Sequence, residues 1–289
     1  MKLAAFWDRI SNELVDALAG HRASIPTLRV EEKADRSLLT DADLAMETLI
    51  VERIHGLDPH ARVIAEESAA SLAPDPDFTT QGRIWVIDPI DGTAEFLRPH
   101  SSEFCSVVCL LEDGRPVGAL VVAPELGVGR TPVVIAACDG RVTVNGRPAT
   151  ANSGRPPTYS VSVTRSSRRP PPAHEAVMER AGYTMKTRAT SQTLDMARTA
   201  LDLTAVTREP VRFDLFYRRR QKAWDALAGL CLGEFTGLLS SNMAGRSPSP
   251  VGLDILAQGE PVFPATVMGR EETVGWFLGA ESHPGACCS

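Results

Sequence analysis

Residues 84–96 read IWVIDPIDGTAEF, an apolar run that ends in two aspartates three positions apart, Asp88 and Asp91, with Pro89, Gly92 and Thr93 around them. IWVI has the composition of a buried strand, and it delivers Asp88 at its end. A turn accounts for a Pro, an Asp and a Gly together, but it does not require two acids at this spacing. Other acids stand at comparable places: Asp41 and Asp43 near a helix start, Glu66 and Glu67 closing VIAEES (63–68), and Asp225 in WDALAG (224–229). If several converge, their repulsion raises their pKa values and destabilises the fold unless a cation compensates. Oxygen-only ligands suit hard cations, so the physical reading of these acids is a site for two or three Mg²⁺ ions.

The same stretch carries a second expectation. Pro89 fixes φ and Gly92 lets the backbone approach a ligand, so the amides of Gly92, Thr93 and Ala94 are placed to face a phosphate at a helix start. Metal and anion would then meet at one turn, as metal-assisted phosphoryl hydrolysis requires. Two plainer readings stand beside this one. Asp225 at a helix N-terminus is favoured by the macrodipole alone, and Thr40 with Asp43 fits a capping box.

The whole chain bounds the function. Its 289 residues are 43% hydrophobic, enough for one large domain or two half-sized ones. A formal net charge of −6 argues against a nucleic acid polymer or an anionic membrane as partner. No stretch has the length of a membrane span, and acids interrupt the short apolar start of the chain. Six cysteines without CxxC pairs or nearby histidines predict reduced thiols in a cytoplasmic protein, with Cys287 and Cys288 in a tail.

Along the chain, Leu3, Phe6, Trp7, Ile10, Leu14 and Leu18 recur at helical spacing, and Leu44, Leu49, Ile50 and Ile54 predict a second helix from Thr40 to Ile54. A polar loop at 71–83 precedes IWVI. EFCSVVCLL (103–111) and RPVGALVVAP (115–124) predict two strands joined at Glu112–Gly114, and β character continues to about residue 147. A Pro-rich change of composition at 152–173 predicts a boundary, dividing the chain into 1–150 and 151–289. Beyond it HEAVMERAG, LDMARTALDLTAV and AWDALAGLCLGEF predict helices alternating with short apolar runs, an α/β second half. Trp85 and Trp224 are expected in the core beside the acids, and His100 and His174 in surface loops.

Taken together, EES (66–68), WVIDPIDGT (85–93) and WDALAG (224–229) resemble the inositol monophosphatase superfamily of Mg²⁺-dependent, Li⁺-sensitive phosphatases. The resemblance implies a layered αβαβα sandwich, a homodimer, and a small phosphorylated metabolite as substrate. It implies Glu66, Asp88, Asp91, Asp225 and the carbonyl of Ile90 as metal ligands. Thr93 resembles the residue that orients the attacking water, with Asp43 as its partner and Asp41 as the other register; Glu67 supports the ligands or faces solvent. GTAEF (92–96) and VSVTRS (161–166) are similar to the 3′-phosphoadenosine 5′-phosphate phosphatase branch. On that likeness Arg165 and the run Arg218, Arg219 and Arg220 fall where family members contact the leaving group, or else lie in solvated loops. ATSQTLDMA (189–197) departs from the Gly-Ser run of that branch, and FTG (235–237) from its AGG. Inositol, sugar or histidinol phosphates, an intermediate of a specialised pathway, or an inactive phosphate-binding relative are the alternatives.

Overall fold

The computed structural model describes residues 3–33, 37–69, 79–163 and 172–282. Arg165, the tail cysteines, and most of the predicted loop at 71–83 lie outside them.

Helix α1 (Leu3–Ala23) buries Phe6, Trp7, Ile10, Leu14 and Leu18, the stripe its spacing predicted. Helix α2 (Asp41–Leu57) starts at Thr40, whose side chain and that of Asp43 cap each other's backbone amides. Its core-facing side differs from the expectation: Met46, Glu47, Ile50 and Ile54 are buried, while Leu44 is 46% exposed. Leu44 lies off the arc that continues from Ala42 through Met46 to Ile50.

A seven-stranded sheet follows in sequential order: β1 (Arg62–Ala65), β2 (Arg83–Asp91), β3 (Cys105–Glu112), β4 (Arg115–Ala123), β5 (Val133–Cys138), β6 (Arg141–Val144) and β7 (Arg147–Pro148). β1 and β2 are parallel and the rest antiparallel. The β3–β4 turn has positive φ at Asp113 and Gly114, which suits the right-handed twist of a tight hairpin. β2 reads as an unbroken apolar run because both its faces are covered. Trp85 and Ile87 join the cluster under α1 and α2, whereas Ile84 and Val86 join the cluster on the opposite face.

The second sheet has five strands. In spatial order they are β9 (Thr184–Met185), β8 (Ser160–Val163), β10 (Leu215–Arg218), β12 (Thr266–Gly269) and β11 (Leu239–Asn242). The β9–β8 and β8–β10 pairs are parallel, the other two antiparallel. Between the sheets lie α4 (Gln192–Ala200) and α5 (Ala223–Phe235). α5 is apolar nearly all round, as a helix covered on both sides must be. On the outer face of the second sheet, Val177 and Met178 of α3 (Ala173–Arg180) and Val274 and Phe277 of α6 (Glu271–Ser282) pack on Val161, Val163 and Leu215. The result is the five-layer αβαβα order.

Two expectations of the second half are corrected. LDMARTALDLTAV is helical only to Ala200, where the Asn152 side chain donates to the Thr199 carbonyl (3.2 Å) and the chain turns extended. His174 is buried, within α3, with its ring 5.0 Å from that of Tyr217. Trp85 packs edge-on against Trp7 and Phe6, and Trp224 is buried in the first turn of α5. Among the described residues no helix is long and apolar enough to cross a membrane. Cys105, Cys109, Cys138 and Cys231 are free thiols.

Candidate metal and phosphate site

The spacing of Asp88 and Asp91 finds its reason in the sheet. In a regular strand, positions i and i+3 point to opposite faces. Here the β2–β3 register shifts: Asp88 pairs with Val107 and Asp91 with Cys105, so three steps along β2 match two along β3. This bulge contains Pro89, which has no amide to offer the ladder, and it brings both acids to one side. Ile90 faces the other way, into the cluster under α2.

Asp225, in the first turn of α5, completes the group. One carboxylate oxygen each from Asp88, Asp91 and Asp225 lie within 4.8 Å of one another. Burial pushes all three carboxyls above the ordinary range, and mutual repulsion, with that of Glu66, pushes Asp88 and Asp225 further. Asp88 Oδ1 is buried with no hydrogen-bond partner. An unpartnered oxygen among converging carboxylates fits a hard divalent cation.

Glu66 opens a short helical turn after β1 and lines a cavity of about 390 Å³ with Asp225 and Lys33. Lys33 Nζ bridges Glu66 (3.0 Å) and Glu67 (2.5 Å). Glu67 is pushed up to about 7, by burial and by Glu66, and its backbone amide donates to Glu47.

Asp43 holds both positions expected of it. Its Oδ2 accepts from the Thr40 amide (2.7 Å) and hydroxyl (2.6 Å), and its Oδ1 lies 3.2 Å from Thr93 Oγ1. The Thr93 hydroxyl has one proton and two acceptors at equal distance, Asp43 and the Ile90 carbonyl. Burial pushes Asp43 up to about 6 against the pull of the Thr40 bonds. Asp41 is exposed and accepts from the Arg29 amide instead. Gly92 has φ +90°, and a Cβ there would stand 3.0 Å from the Glu103 carbonyl and 3.4 Å from the Ser191 amide. Its backbone is therefore pressed against protein, where a side chain would crowd it. Ala94 is exposed in the single turn Thr93–Phe96.

A second set of residues escaped the sequence reading. Asp91 Oδ2 accepts from Ser191 Oγ (2.7 Å) and the Thr193 amide (2.8 Å), and Oδ1 from the Gln192 amide (3.3 Å). Gln192 Nε2 donates to Asp225 Oδ2 (2.5 Å). Their one signal in the sequence was the departure at ATSQTL.

Arg218, Arg220, Lys186, Arg188 and Gln192 line a neighbouring cavity of about 420 Å³. Arg218 donates to Ser162 (2.9 Å) and to buried Asp195 (3.1 Å), and Lys186 pairs with Asp195 too. Arg188 pairs with Glu95. Arg219 is exposed and is not among the lining residues; the turn between Arg218 and Gln221 brings Arg220 to the cavity in its place. Lys186 and Arg188 were not anticipated.

Known proteins resemble this chain in sequence and in fold. The 3′(2′),5′-bisphosphate nucleotidase CysQ of Escherichia coli (strain K12) is 34% identical over 99 residues, 34% of this chain and 39% of CysQ. The histidinol-phosphatase of Mycobacterium tuberculosis is 37% identical over 111 residues, 38% of this chain and 40% of that enzyme. The matched region thus spans about two fifths of either relative. A staphylococcal inositol monophosphatase-1, solved as a LiCl-soaked inhibitory complex, superposes with a TM-score of 0.73 at 16% identity, covering 96% of this chain and 94% of that one. The profile of the inositol monophosphatase family matches residues 9–266, and the chain belongs to that family.

Proposed function

We propose that this chain is a Mg²⁺-dependent phosphatase of small phosphomonoesters whose leaving group carries a second anionic group, of the 3′-phosphoadenosine 5′-phosphate kind. The observation that carries the reading is the convergence of Asp88, Asp91 and Asp225 within 4.8 Å, one oxygen orphaned, beside the Asp43–Thr93 pair. Glu66, Asp88, Asp91, Asp225 and the Ile90 carbonyl would hold the cations. When bound, these ions supply a Lewis acid for the phosphoryl oxygens and lower the pKa of water.

The protein's own groups do the rest. Asp43 Oδ1 accepts the Thr93 hydroxyl proton, which turns the Thr93 oxygen lone pairs outward to accept a hydrogen bond from the attacking water. With a carboxyl pushed up to about 6, Asp43 is a stronger base than an ordinary aspartate. The Thr93 and Ala94 amides, at the start of a helical turn and without intrahelical partners, face the anion. The cation-lined cavity receives the leaving group, with Arg218 and Arg220 toward its second anionic group. The same wall repels an ammonium-bearing leaving group such as histidinol, which favours the nucleotide reading over that of the other relative.

Phosphate release, with and without Mg²⁺, from 3′-phosphoadenosine 5′-phosphate, inositol 1-phosphate, histidinol phosphate and fructose 1,6-bisphosphate tests this. Mg²⁺-dependent release that favours the bisphosphorylated substrates supports it. A preference for histidinol phosphate overturns the role given to the arginines. No turnover by folded protein that binds Mg²⁺ leaves a phosphate-binding relative as the reading.

A further inference from the structure

The segment Ser191–Thr193 contributes Gln192 to the wall of the cation-lined cavity, and it also touches two of the three converging acids. Ser191, Gln192 and Thr193 place three donors on Asp91, and Gln192 places a fourth on Asp225. Thr193 Oγ1 also donates to the Asp225 backbone carbonyl (3.1 Å), which fixes the first turn of α5 against the start of α4. Of the four donors to the two carboxylates, the Gln192 side chain makes the shortest bond, at 2.5 Å to Asp225 Oδ2.

The position of that bond bears on which cation the site takes. A carboxylate grips a cation through one oxygen or through both. Ca²⁺ takes six to eight oxygens and readily uses both, whereas Mg²⁺ demands a small octahedral shell and takes one. The Gln192 amide occupies a lone pair of Asp225 Oδ2, so a grip through both oxygens competes with that bond, whereas a grip through Oδ1 leaves it intact. Asp91 differs, since its Oδ2 accepts from two donors within 2.8 Å and its Oδ1 from the Gln192 backbone amide at 3.3 Å. On Asp225, where the segment bonds one oxygen only, a grip through the other oxygen is thereby favoured.

We propose that Gln192 determines the cation selectivity of the site, its amide holding Asp225 monodentate and so disfavouring Ca²⁺ relative to Mg²⁺. The inference rests on the reading that these acids hold a divalent cation. It assigns Gln192 as a positioning residue, acting through Asp225.

The test is calorimetric titration of the folded, metal-stripped wild type, Gln192→Ala and Gln192→Met with Mg²⁺ and with Ca²⁺ separately, with the rise in Tm on adding each ion as a second readout. The methionine keeps the length of the side chain and removes the donor. Both substitutions are expected to raise Ca²⁺ affinity relative to Mg²⁺ by about tenfold, the scale on which partners of metal ligands act. An unchanged ratio overturns the proposal. So does a parallel fall for both ions, which would mean that the amide merely orients Asp225, and so does a change with Ala but not Met, which would assign the effect to space. Wild-type protein that binds neither ion overturns the metal reading itself, and the inference with it.

Discussion

The turn at Asp88–Thr93 and the segment at Ser191–Thr193 meet on one carboxylate, Asp91, and they are built on different principles. The first is a bulge in a strand covered on both faces: it supplies charge, and its position is fixed by the sheet. The second is a helix start that supplies hydrogen-bond donors. Acids that repel one another need a rigid platform, and donors that hold them need only reach. A change in the first region therefore removes chemistry, and one in the second adjusts it.

The largest effect should come from the acid whose oxygen has no partner. Asp88→Asn is expected to lower Mg²⁺-dependent kcat/KM by at least about a hundredfold, since it removes a charge that the cation needs. The same substitution relieves repulsion in the metal-free protein, so its Tm in EDTA should equal or exceed that of the wild type. A near-normal rate would remove Asp88 from the ligand set, and a collapse of the fold would make it structural.

Gly92→Ala tests the platform. A side chain at φ +90° with the Glu103 carbonyl 3.0 Å away should cost about 2 kcal/mol of stability, read by denaturant unfolding. If stability holds, the turn is looser than its contacts require.

Ser191→Ala tests the holding segment. It removes the N-cap of α4, which accepts from the Leu194 amide (3.0 Å), together with one donor to Asp91. The expected loss is about 1 kcal/mol, with a weaker rise in Tm on adding Mg²⁺. A loss as large as that of Gly92→Ala would erase the distinction between the two regions.

The same contrast explains what the sequence disclosed. The acids of the first region follow an apolar run and sit beside a Pro and a Gly, so local pattern was enough to single them out. That Asp88 and Asp91 face the same way was hidden, because it depends on a register shift against β3. Ser191 acts on an aspartate 100 positions away, and no local pattern encodes that. Arg219 and Arg220 differ by one step along a turn, which decides which of them reaches the cavity. Layer order came with the resemblance, while Leu44 and His174 were misplaced because neither periodicity nor residue type specifies which neighbour arrives to cover a side chain.

A pH dependence of metal-free stability is expected as well, and it reaches both regions at once. Asp43 is pushed up to about 6 by burial, and Asp88, Asp91 and Asp225 are pushed up as well. Between the ordinary carboxylate range and these raised values, the folded chain retains protons that the unfolded chain has released. Their contribution is fully present below the ordinary range and is lost as pH rises through the raised values. In EDTA, Tm should therefore fall as pH rises from about 4 through 6. Mg²⁺ competes with the same protons, so the rise in Tm on adding it should be greater at pH 8 than at pH 5. Asp43→Asn should flatten the EDTA slope near pH 6 and leave the steeper response of the three converging acids. A rise in Tm that is equal at both pH values would mean that Mg²⁺ binds away from the raised carboxyls, and would separate the acids of the bulge from the metal that their convergence implies.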